Sequence, residues 1–407
     1  MKPRFVLRSS TPWWRGPLLI AVAALVTFAV TAALIRWAGG NPIAAYRYMF
    51  INPLQSKFGI TESVLAATPL VFTGAAVALA FRAGYWNIGA EGQLLAGTIG
   101  ATWFGLHAEA LPKVVAVPGV LVAGALCGAI WALVPALLRS RLGIDEVVTT
   151  LLLNPVALLV ITGLLNGPWR NSTTGFPDSD VVAESVMMPI VWPGSRVHFG
   201  LLAGAALALG CWWYVGRMAG GLRLRAVGLA PGAARIAGLE VEKTLLVTAL
   251  ASGAIAGVGG ASEIAGGAHQ LTIGISSGFG YTGVIVATLA ALNFVGGIAV
   301  ALLLGVINVG SFSASRALSI PSTNVTSSGT IRKLQPMLFC ANSKQVTISS
   351  YSSSHISVGT NTVYYALKTA RRSYIKPPKT IDLSEGGSVL HQKIRMSPAD
   401  KPEFGAS

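Results

Sequence analysis

The sequence predicts an all-α membrane protein, a polytopic bundle of transmembrane helices. Of its 407 residues, 53% are hydrophobic and only 11% are charged, and the mean hydropathy is +0.62. Soluble domains carry roughly a quarter charged residues, whereas charge-free apolar runs of about 20 residues are long enough to span a bilayer. A water-soluble globular fold is therefore excluded, and the lipid bilayer is the first partner that the composition implies.

Long apolar stretches divide the first three quarters of the chain into nine candidate spans. In chain order they cover residues 16–35, 63–81, 92–106, 114–138, 147–169, 199–216, 244–262, 272–291 and 296–310. The third is the weakest, because it reaches spanning length only if it starts near Asn87. The first has a long apolar run with no A-x-A site before Arg36, so we expect an uncleaved anchor rather than a signal peptide.

Positive charge sets the expected orientation. With the N-terminus inside, the inner segments hold twelve Lys and Arg residues and the outer segments hold six, as expected because cations favour the cytoplasmic side. The prediction is a multi-pass protein of the plasma membrane (cell inner membrane). It has a cytoplasmic N-terminal tail over 1–15, a membrane domain over 16–310, an outer loop over 168–198 and an inner loop over 217–243.

The composition changes from about residue 311. The segment 311–407 is rich in Ser and Thr, carries twelve Lys and Arg against four Asp and Glu, and has no apolar run long enough to cross. Nine spans from an inside start would place this basic tail outside, against the charge rule. Either a tenth span is missing or one of the nine does not cross.

Several classes of chemistry are not indicated. The sequence has no G-x-x-x-x-G-K-[ST] loop to bind ATP phosphates and no H-E-x-x-H zinc pattern. Its three cysteines form no C-x-x-C pair, so we expect neither a disulfide framework nor a metal site. The net charge of +15 is spread around apolar runs rather than clustered, and no nucleic acid partner is expected.

Polar side chains at membrane depth are the best candidates for a transport pathway. An ionised group there costs at least about 2.5–3.5 kcal/mol, so such groups face a cavity or a partner. Glycines in the segment 81–93 would let the backbone break, which is tolerated at membrane depth where it lines a cavity. The candidates are Tyr85, Trp86, Asn87, Glu91, Gln93 and Asn154.

Plainer interpretations remain open for these residues. Glu91 could begin a cytoplasmic helix, near its positive dipole end, and Asn154 before Pro155 could mark a packed kink. Glu263, at the end of a span, could be an outer-mouth group or a solvated cap. The glycines of 257–260 are best interpreted as small residues that let helices approach closely.

The inner loop carries a basic segment, residues 220–239. Its second half predicts a short helix from Pro231 to Ala237 closed by Gly238. A basic helix between spans could dock another protein or anchor against anionic lipid. Charge alone does not distinguish the two.

Four segments carry a resemblance to a known family. They are FRAGYWNIGAEGQ (81–93), IDEVVTTLLLN (144–154), LRLRAVGLAPGAARIAGL (222–239) and SGAIAGVGGASEI (252–264). In this order they resemble the permease subunits of binding-protein-dependent ABC importers, in the group that includes ribose, branched-chain amino acid and nucleoside permeases. The pattern is most similar to the nucleoside and simple-sugar branch, over residues from about 15 to 325.

The resemblance implies a transporter subunit rather than an enzyme. ATP would be bound by cytosolic P-loop ATPase subunits, with no cofactor on this chain. A second permease subunit would complete the pathway, and an extracytoplasmic solute-binding protein would deliver the solute. The pathway would carry nucleosides or related sugar-containing solutes by alternating access. The coupling loop would contain Arg223, Arg225, Gly228, Ala234, Arg235 and Gly238.

Alternatives differ in cargo or in class. A permease of the same family could carry ribose or branched-chain amino acids. An ion-coupled secondary transporter would need intramembrane acids paired with cations, and Glu91 is the sole candidate in the sequence. A membrane enzyme is disfavoured because no nucleophile–base or metal constellation lies at membrane depth.

The C-terminal region departs from the family pattern. Such permeases usually end with one more apolar span, ten in total, after a segment like 317–322, and here that span is absent. Ala230 also replaces an Asn that is common in the loop pattern. We hypothesise that the C-terminus is altered, for example by a frameshift.

Overall fold

The computed structural model describes residues 14–37, 39–171 and 173–318, all within one compact unit. Within these ranges the chain is helical and contains no β-strand, which confirms the all-α prediction. The main helices are α1 (Arg15–Trp37), α2 (Pro42–Tyr46), α3 (Lys57–Arg82), α4 (Ala90–Leu106), α5 (Lys113–Leu142), α6 (Glu146–Asn166), α7 (Gly200–Arg217), α8 (Ala219–Leu229), α9 (Pro231–Ile236), α10 (Val241–Ser262), α11 (Phe279–Leu289) and α12 (Phe294–Leu318).

Fewer helices than nine could each cross a membrane alone. Among the described residues, five are long and apolar enough: α3, α5, α6, α12, and α10 with its π-helical continuation to Ala268. The pair α7 and α8, bent by 77°, would make a sixth. With 17 and 11 residues, α4 and α11 cover about 25 and 16 Å of a core about 30 Å thick.

The predicted eighth span, 272–291, is not a continuous helix. Residues 269–278 are irregular and only Phe279–Leu289 is helical. The cause is local, since the Ser276 hydroxyl oxygen accepts hydrogen bonds from the amides of Gly278 and Phe279 at 3.2 Å each. A serine that bonds to the following backbone starts a helix rather than continuing one.

The centre of the bundle is α10, which packs against α3, α4 and α5. Glycines make this packing close: a methyl group on Gly257 would overlap the carbonyl oxygen of Gly124, and one on Gly97 would overlap the backbone of Gly257. A methyl group on Gly260 would overlap the carbonyl of Leu94. The prediction that the glycines of 257–260 serve helix packing is confirmed.

The segment between α6 and α7 is folded onto one set of helix ends. We call these the outer ends, and the opposite ones the inner ends, after the orientation that the sequence predicts. The amide of Val182 donates to the carbonyl of His269 at 2.9 Å, and that of Ala183 donates to the carbonyl of Gly105 at 3.0 Å. Arg196 forms a bidentate ion pair with Glu62 near the start of α3, with nitrogen–oxygen distances of 3.1 and 2.5 Å. The predicted outer loop is therefore packed against the helix ends rather than extended into solvent.

The last described helix runs past the predicted end of the membrane domain. Residue 310 was the expected boundary, and α12 continues to Leu318. The rest of the predicted tail, 319–407, and most of the predicted N-terminal tail, 1–13, lie outside the described residues.

Candidate functional site

Two helices begin at half the height of the bundle. The irregular segment 83–89 leads from the inner end of α3 to α4, and 269–278 leads from the far end of α10 to α11. The Asn87 amide donates to the Ser252 hydroxyl at 2.9 Å, and the Thr73 hydroxyl donates to the Phe279 carbonyl at 3.1 Å. Because Ser252 and Thr73 lie near the middle of α10 and α3, the first turns of α4 and α11 meet there.

Glu91 lies between these two helix starts. Its carboxylate accepts one hydrogen bond from the Ser276 hydroxyl and one from the Gly280 backbone amide, both at 2.6 Å, and the residue is buried. Helix N-termini carry partial positive charge, so α4 and α11 place two positive ends on one carboxylate. We call Glu91, Ser276 and Gly280 the half-height junction.

This arrangement revises the cytoplasmic interpretation of Glu91. The residue does lie in the first turn of α4, as that interpretation required. The turn is in the middle of the bundle, because the preceding chain re-enters it from the inner end of α3. In transporters such discontinuous helices form at binding sites near the membrane midplane.

Ser276 is a site residue that sequence reasoning missed. Residues 274–278 read Gly-Ile-Ser-Ser-Gly, which matches the G-x-S-x-G pattern of serine hydrolases. That pattern needs a strand before it and a histidine partner, and within the described chain Ser276 has neither, because its hydroxyl donates to Glu91. Its role is to start α11.

The predicted amide side chains form a buried network rather than an open surface. Asn87 and Gln93 bond to each other in both directions, at 2.8 and 3.1 Å. The side-chain oxygen of Asn154 accepts from the Gly92 amide at 2.9 Å, and its nitrogen donates to the Ile88 carbonyl at 3.0 Å. Irregular backbone at membrane depth needs such partners, so these three residues support the broken segment that leads to Glu91.

The two predicted aromatic residues point to different places. Tyr85 is buried, and within the described chain its hydroxyl has no hydrogen-bond partner. Trp86 is 53% exposed and lies against Phe81 with ring centroids 4.7 Å apart. The structure therefore does not bring Tyr85, Trp86 and the amides together as one ligand pocket.

Trp86 instead faces a groove at the inner end of the bundle, with a volume of about 630 Å³. Its walls are segment 81–86, the end of α5, α8 with α9, and the start of α10. The lining includes Trp86, Arg139, Gly228, Pro231, Arg235 and Glu242.

One wall of this groove is a backbone contact. Gly84 has a left-handed φ of +77°, and a methyl group there would lie 3.3 Å from the Gly228 Cα atom. A methyl group on Gly228 would overlap the carbonyl oxygen of Arg82. The inner loop is thus in direct contact with the segment that leads up to Glu91.

The predicted short helix in the inner loop is confirmed as α9 (Pro231–Ile236). Gly238 has a φ of +81°. Its amide donates to the Arg235 carbonyl at 3.1 Å, and the next amide, of Leu239, donates to the Ala234 carbonyl at 3.0 Å. These two bonds are the Schellman arrangement that ends a helix at glycine.

The six predicted coupling residues divide by environment. Gly228 and Ala234 are packed inside, and Gly238 ends α9. Arg235 pairs with Glu242, Arg223 is exposed, and Arg225 is half-buried, with an Nε atom that has no hydrogen-bond partner within the described chain.

Two apolar residues beside α9 were not among the predicted coupling residues. Leu229 is 88% exposed and Ile236 is 91% exposed. Their sequence signal was a large apolar residue on each side of the small-residue segment 230–235, which is easily taken for helix packing. Both side chains are exposed on the same loop.

Comparison with known proteins assigns the family. The family model for the permease component of branched-chain amino acid transport systems matches residues 59–327. The chain belongs to this permease family. Glucose ABC transporter permease protein TsgB13 of Haloferax volcanii is 34% identical over 78% of this chain and 86% of its own length. No solved structure matches the chain.

Two bacterial relatives are similarly close. Guanosine ABC transporter permease protein NupP of Bacillus subtilis is 30% identical over 75% of this chain and 88% of its own length. Nucleoside ABC transporter permease protein NupB of Lactococcus lactis is 31% identical, over 76% and 84%. The resemblance in the sequence motifs is thereby confirmed.

The permease is therefore a membrane-spanning subunit of an ABC importer, and a transporter subunit rather than an enzyme. Membership implies ATPase and binding-protein partners and a multi-pass place in the plasma membrane. It also decides against the ion-coupled secondary transporter. The half-height junction and the inner groove are then features of a transport subunit.

Proposed function

We propose that this permease carries nucleosides or related sugar-containing solutes. The observation that carries the proposal is that the three relatives, named for glucose, guanosine and nucleoside transport, match the chain over most of their own lengths. The subunit would have its N-terminus in the cytoplasm and no nucleotide site of its own. A second permease subunit would complete the pathway, and a solute-binding protein would deliver the solute from outside.

Alternating access would use the half-height junction as its pivot. From this level α4 extends toward the outer end of the bundle and α11 toward the inner end. The inner end of α11 is held at the end of α3, because the Arg82 guanidinium donates a hydrogen bond to the Leu292 carbonyl at 2.9 Å. A small tilt of either half-helix would open one side of the junction and close the other. Asn87, Gln93 and Asn154 would hold the junction, and the exposed Trp86 would contact solute leaving on the inner side.

The ATPase would dock on α9 and its flanks. Leu229 and Ile236 are the most exposed large apolar residues of the inner loop, and burying each in a partner pocket would stabilise the complex by about 1.5–3 kcal/mol. The contact of Gly228 with Arg82 would pass the movement of this loop to segment 83–89. Gly228, Ala234, Arg225, Arg235 and Gly238 would keep the loop in shape.

A co-purification experiment tests the docking. The permease is expressed with the ATPase and second permease encoded beside it, and the complex is recovered in mild detergent. Ile236→Asp is expected to remove the ATPase, since a carboxylate would be buried in an apolar pocket. The matched control Ile190→Asp, at an exposed position of the outer segment, is expected to keep it. Equal ATPase recovery in both variants would refute docking on α9.

Uptake competition tests the cargo. Cells with the complete importer take up labelled guanosine, and unlabelled nucleosides, glucose, ribose or leucine compete in turn. Competition by nucleosides or glucose alone is expected. Competition by ribose or leucine alone would move the permease to the alternative cargo.

A further inference from the structure

Two cavities meet where α7 and α10 reach the inner end of the bundle. One has a volume of about 400 Å³ and a charged rim that includes Arg223, Glu240 and Lys243. The other, of about 490 Å³, lies between α3, α7 and α10 and is apolar, with Leu79, Leu207, Cys211, Ala251 and Ile255 in its walls. Both are lined by Tyr214, Leu224, Val247 and Thr248. They therefore form one groove with a charged end and an apolar end.

The length of the groove can be read along α10. Lys243, Val247, Ala251 and Ile255 line it at intervals of four residues, which places them on one helix face. From Lys243 to Ile255 the helix rises about 18 Å at 1.5 Å per residue. One leaflet of a bilayer has a hydrocarbon depth of about 15 Å, half of about 30 Å. The groove thus runs from the inner surface to about the middle of the membrane.

The charged end has an excess of positive charge. Lys243 pairs with Glu240 at 3.2 Å, so these two charges cancel. Arg223 makes no ion pair within the described part of the chain. Gly220, in the first turn of α8, also lines this end, and α8 has no side chain capping its start. Arg223 and the free amides of that turn together suit one phosphodiester.

The apolar end offers little to a polar solute. Of its hydroxyl groups, that of Thr248 already donates to the Thr244 carbonyl at 2.7 Å. The remaining walls are mostly alkyl groups, with Gly210 leaving open space on α7. Such walls suit a hydrocarbon chain and not a sugar or a nucleobase, whose polar groups would lose their hydrogen bonds to water.

We propose that this groove binds an anionic phospholipid from the inner leaflet. The phosphate lies at Arg223 and the start of α8, and one acyl chain lies between α3, α7 and α10. A basic pocket between helices on the cytoplasmic side is a known kind of headgroup site. The lipid would fill the angle of 77° between α7 and α8, the point at which the inner loop leaves the membrane.

Native mass spectrometry of the full-length chain in mild detergent tests the headgroup contact. The protein is mixed with equal amounts of phosphatidylglycerol and phosphatidylcholine that have the same acyl chains. Phosphatidylglycerol is expected to be retained preferentially. Arg223→Gln is expected to lower the ratio of the two retained lipids about fivefold. The control Arg141→Gln, at an exposed cation on the inner end of α5, is expected to leave the ratio unchanged.

A second pair of variants tests the acyl chain. Gly210→Phe fills the apolar end and is expected to reduce retention of both lipids. Gly163→Phe, which also has no atom within 4 Å of the added Cβ, is the matched control on α6. Ala254→Leu narrows the same groove from α10 if Gly210→Phe does not fold.

Three results would overturn the proposal. The first is equal retention of the two lipids by the unmodified protein. The second is full displacement of phosphatidylglycerol when free glycerol phosphate is added as a competitor, which would mean that the acyl chain contributes nothing. The third is equal lipid retention by the groove variants and by Gly163→Phe.

Discussion

Glu91 receives hydrogen bonds from two partners that lie far from it in sequence. The partners are the Ser276 hydroxyl and the Gly280 amide, on the irregular segment before α11 and in its first turn. An ionised carboxylate fixed between two helix N-termini can stay at membrane depth because its charge is balanced there. At the residue scale, the effect of a change at Glu91 depends on whether the hydrogen bonds or the charge are removed.

Two substitutions separate these contributions. Glu91→Gln keeps an oxygen acceptor and removes the charge, so we expect a folded complex with slower uptake. Glu91→Ala leaves the hydroxyl and the amide without an acceptor, which should lower the free energy of unfolding by about 3 kcal/mol. Uptake per assembled complex and thermal unfolding in detergent measure the two effects.

Glu184 is the control for this pair. It is an exposed acid that pairs with Lys113 at 3.6 Å, and exposed pairs contribute about 1 kcal/mol or less. Glu184→Gln should therefore change neither property. Uptake by Glu91→Gln at the rate of the unmodified permease would show that the charge at the junction is dispensable.

His198 predicts a pH dependence of stability. It lies just before α7, and burial, with a smaller effect of His269, lowers its pKa to about 4 from 6.5. Between these values the unfolded chain binds a proton that the folded chain does not, so stability falls as the pH falls below 6.5. From pH 7 to pH 5 the loss is about 2 kcal/mol.

Unfolding at pH 7 and pH 5 measures this difference. His198→Gln removes the titrating group, so we expect its unfolding to vary less between the two pH values than that of the unmodified permease. The remaining dependence would come from other groups, including His269, whose pKa burial also lowers. An equal pH dependence in both proteins would exclude His198 as the source.

At the element scale, close helix contact around α10 predicts a large effect from one small substitution. Gly257→Val would force side-chain atoms against the backbone of Gly124 and Gly128. Backbone cannot rearrange as a flexible side chain can, so we expect a loss of about 3 kcal/mol or a failure to assemble. Gly163→Val, in open space on α6, should behave like the unmodified protein. Thermal unfolding and gel filtration in detergent compare the two, and equal profiles would contradict the packing role of Gly257.

The elements also differ in how well the sequence predicts them. α9 could be predicted because Pro231 and Gly238 impose local backbone conformations. The break before α11 was missed because the chain stays uncharged through it, while Ser276 and the glycines around it determine where the helix begins. Glu263 was expected to be a solvated cap or a mouth group. It is half-buried at the start of a π-helical turn, so it is not a fully solvated cap, and the mouth group stays a prediction.

At the scale of the whole molecule, the contact between Gly228 and Arg82 links the inner loop to the segment that leads to the centre of the bundle. Gly228→Ala would push the two backbones apart. Leu229 and Ile236 would remain available, so the ATPase should still bind. We expect ATP hydrolysis to continue with less solute moved per ATP, because the inner loop would lose its backbone contact with the start of segment 83–89, which leads to Glu91.

Gly232→Ala provides the matched change on α9, where an added methyl group meets no atom within 4 Å. Uptake and ATP hydrolysis measured on the same vesicles give the amount of solute moved per ATP hydrolysed. If Gly228→Ala and Gly232→Ala move equal amounts of solute per ATP, this contact does not carry the coupling.

The amino-acid sequence by itself determined the class of protein, its apolar segments, its short inner helix and its family. These follow from composition and from local backbone chemistry, which need no distant partner. Only the tertiary structure decided that Asn87, Gln93 and Asn154 support a broken segment, that Glu91 joins two helix starts and that Gly228 lies on Arg82. Each of these contacts joins residues from separate elements, and hydrogen bonding at membrane depth depends on which elements the fold brings together.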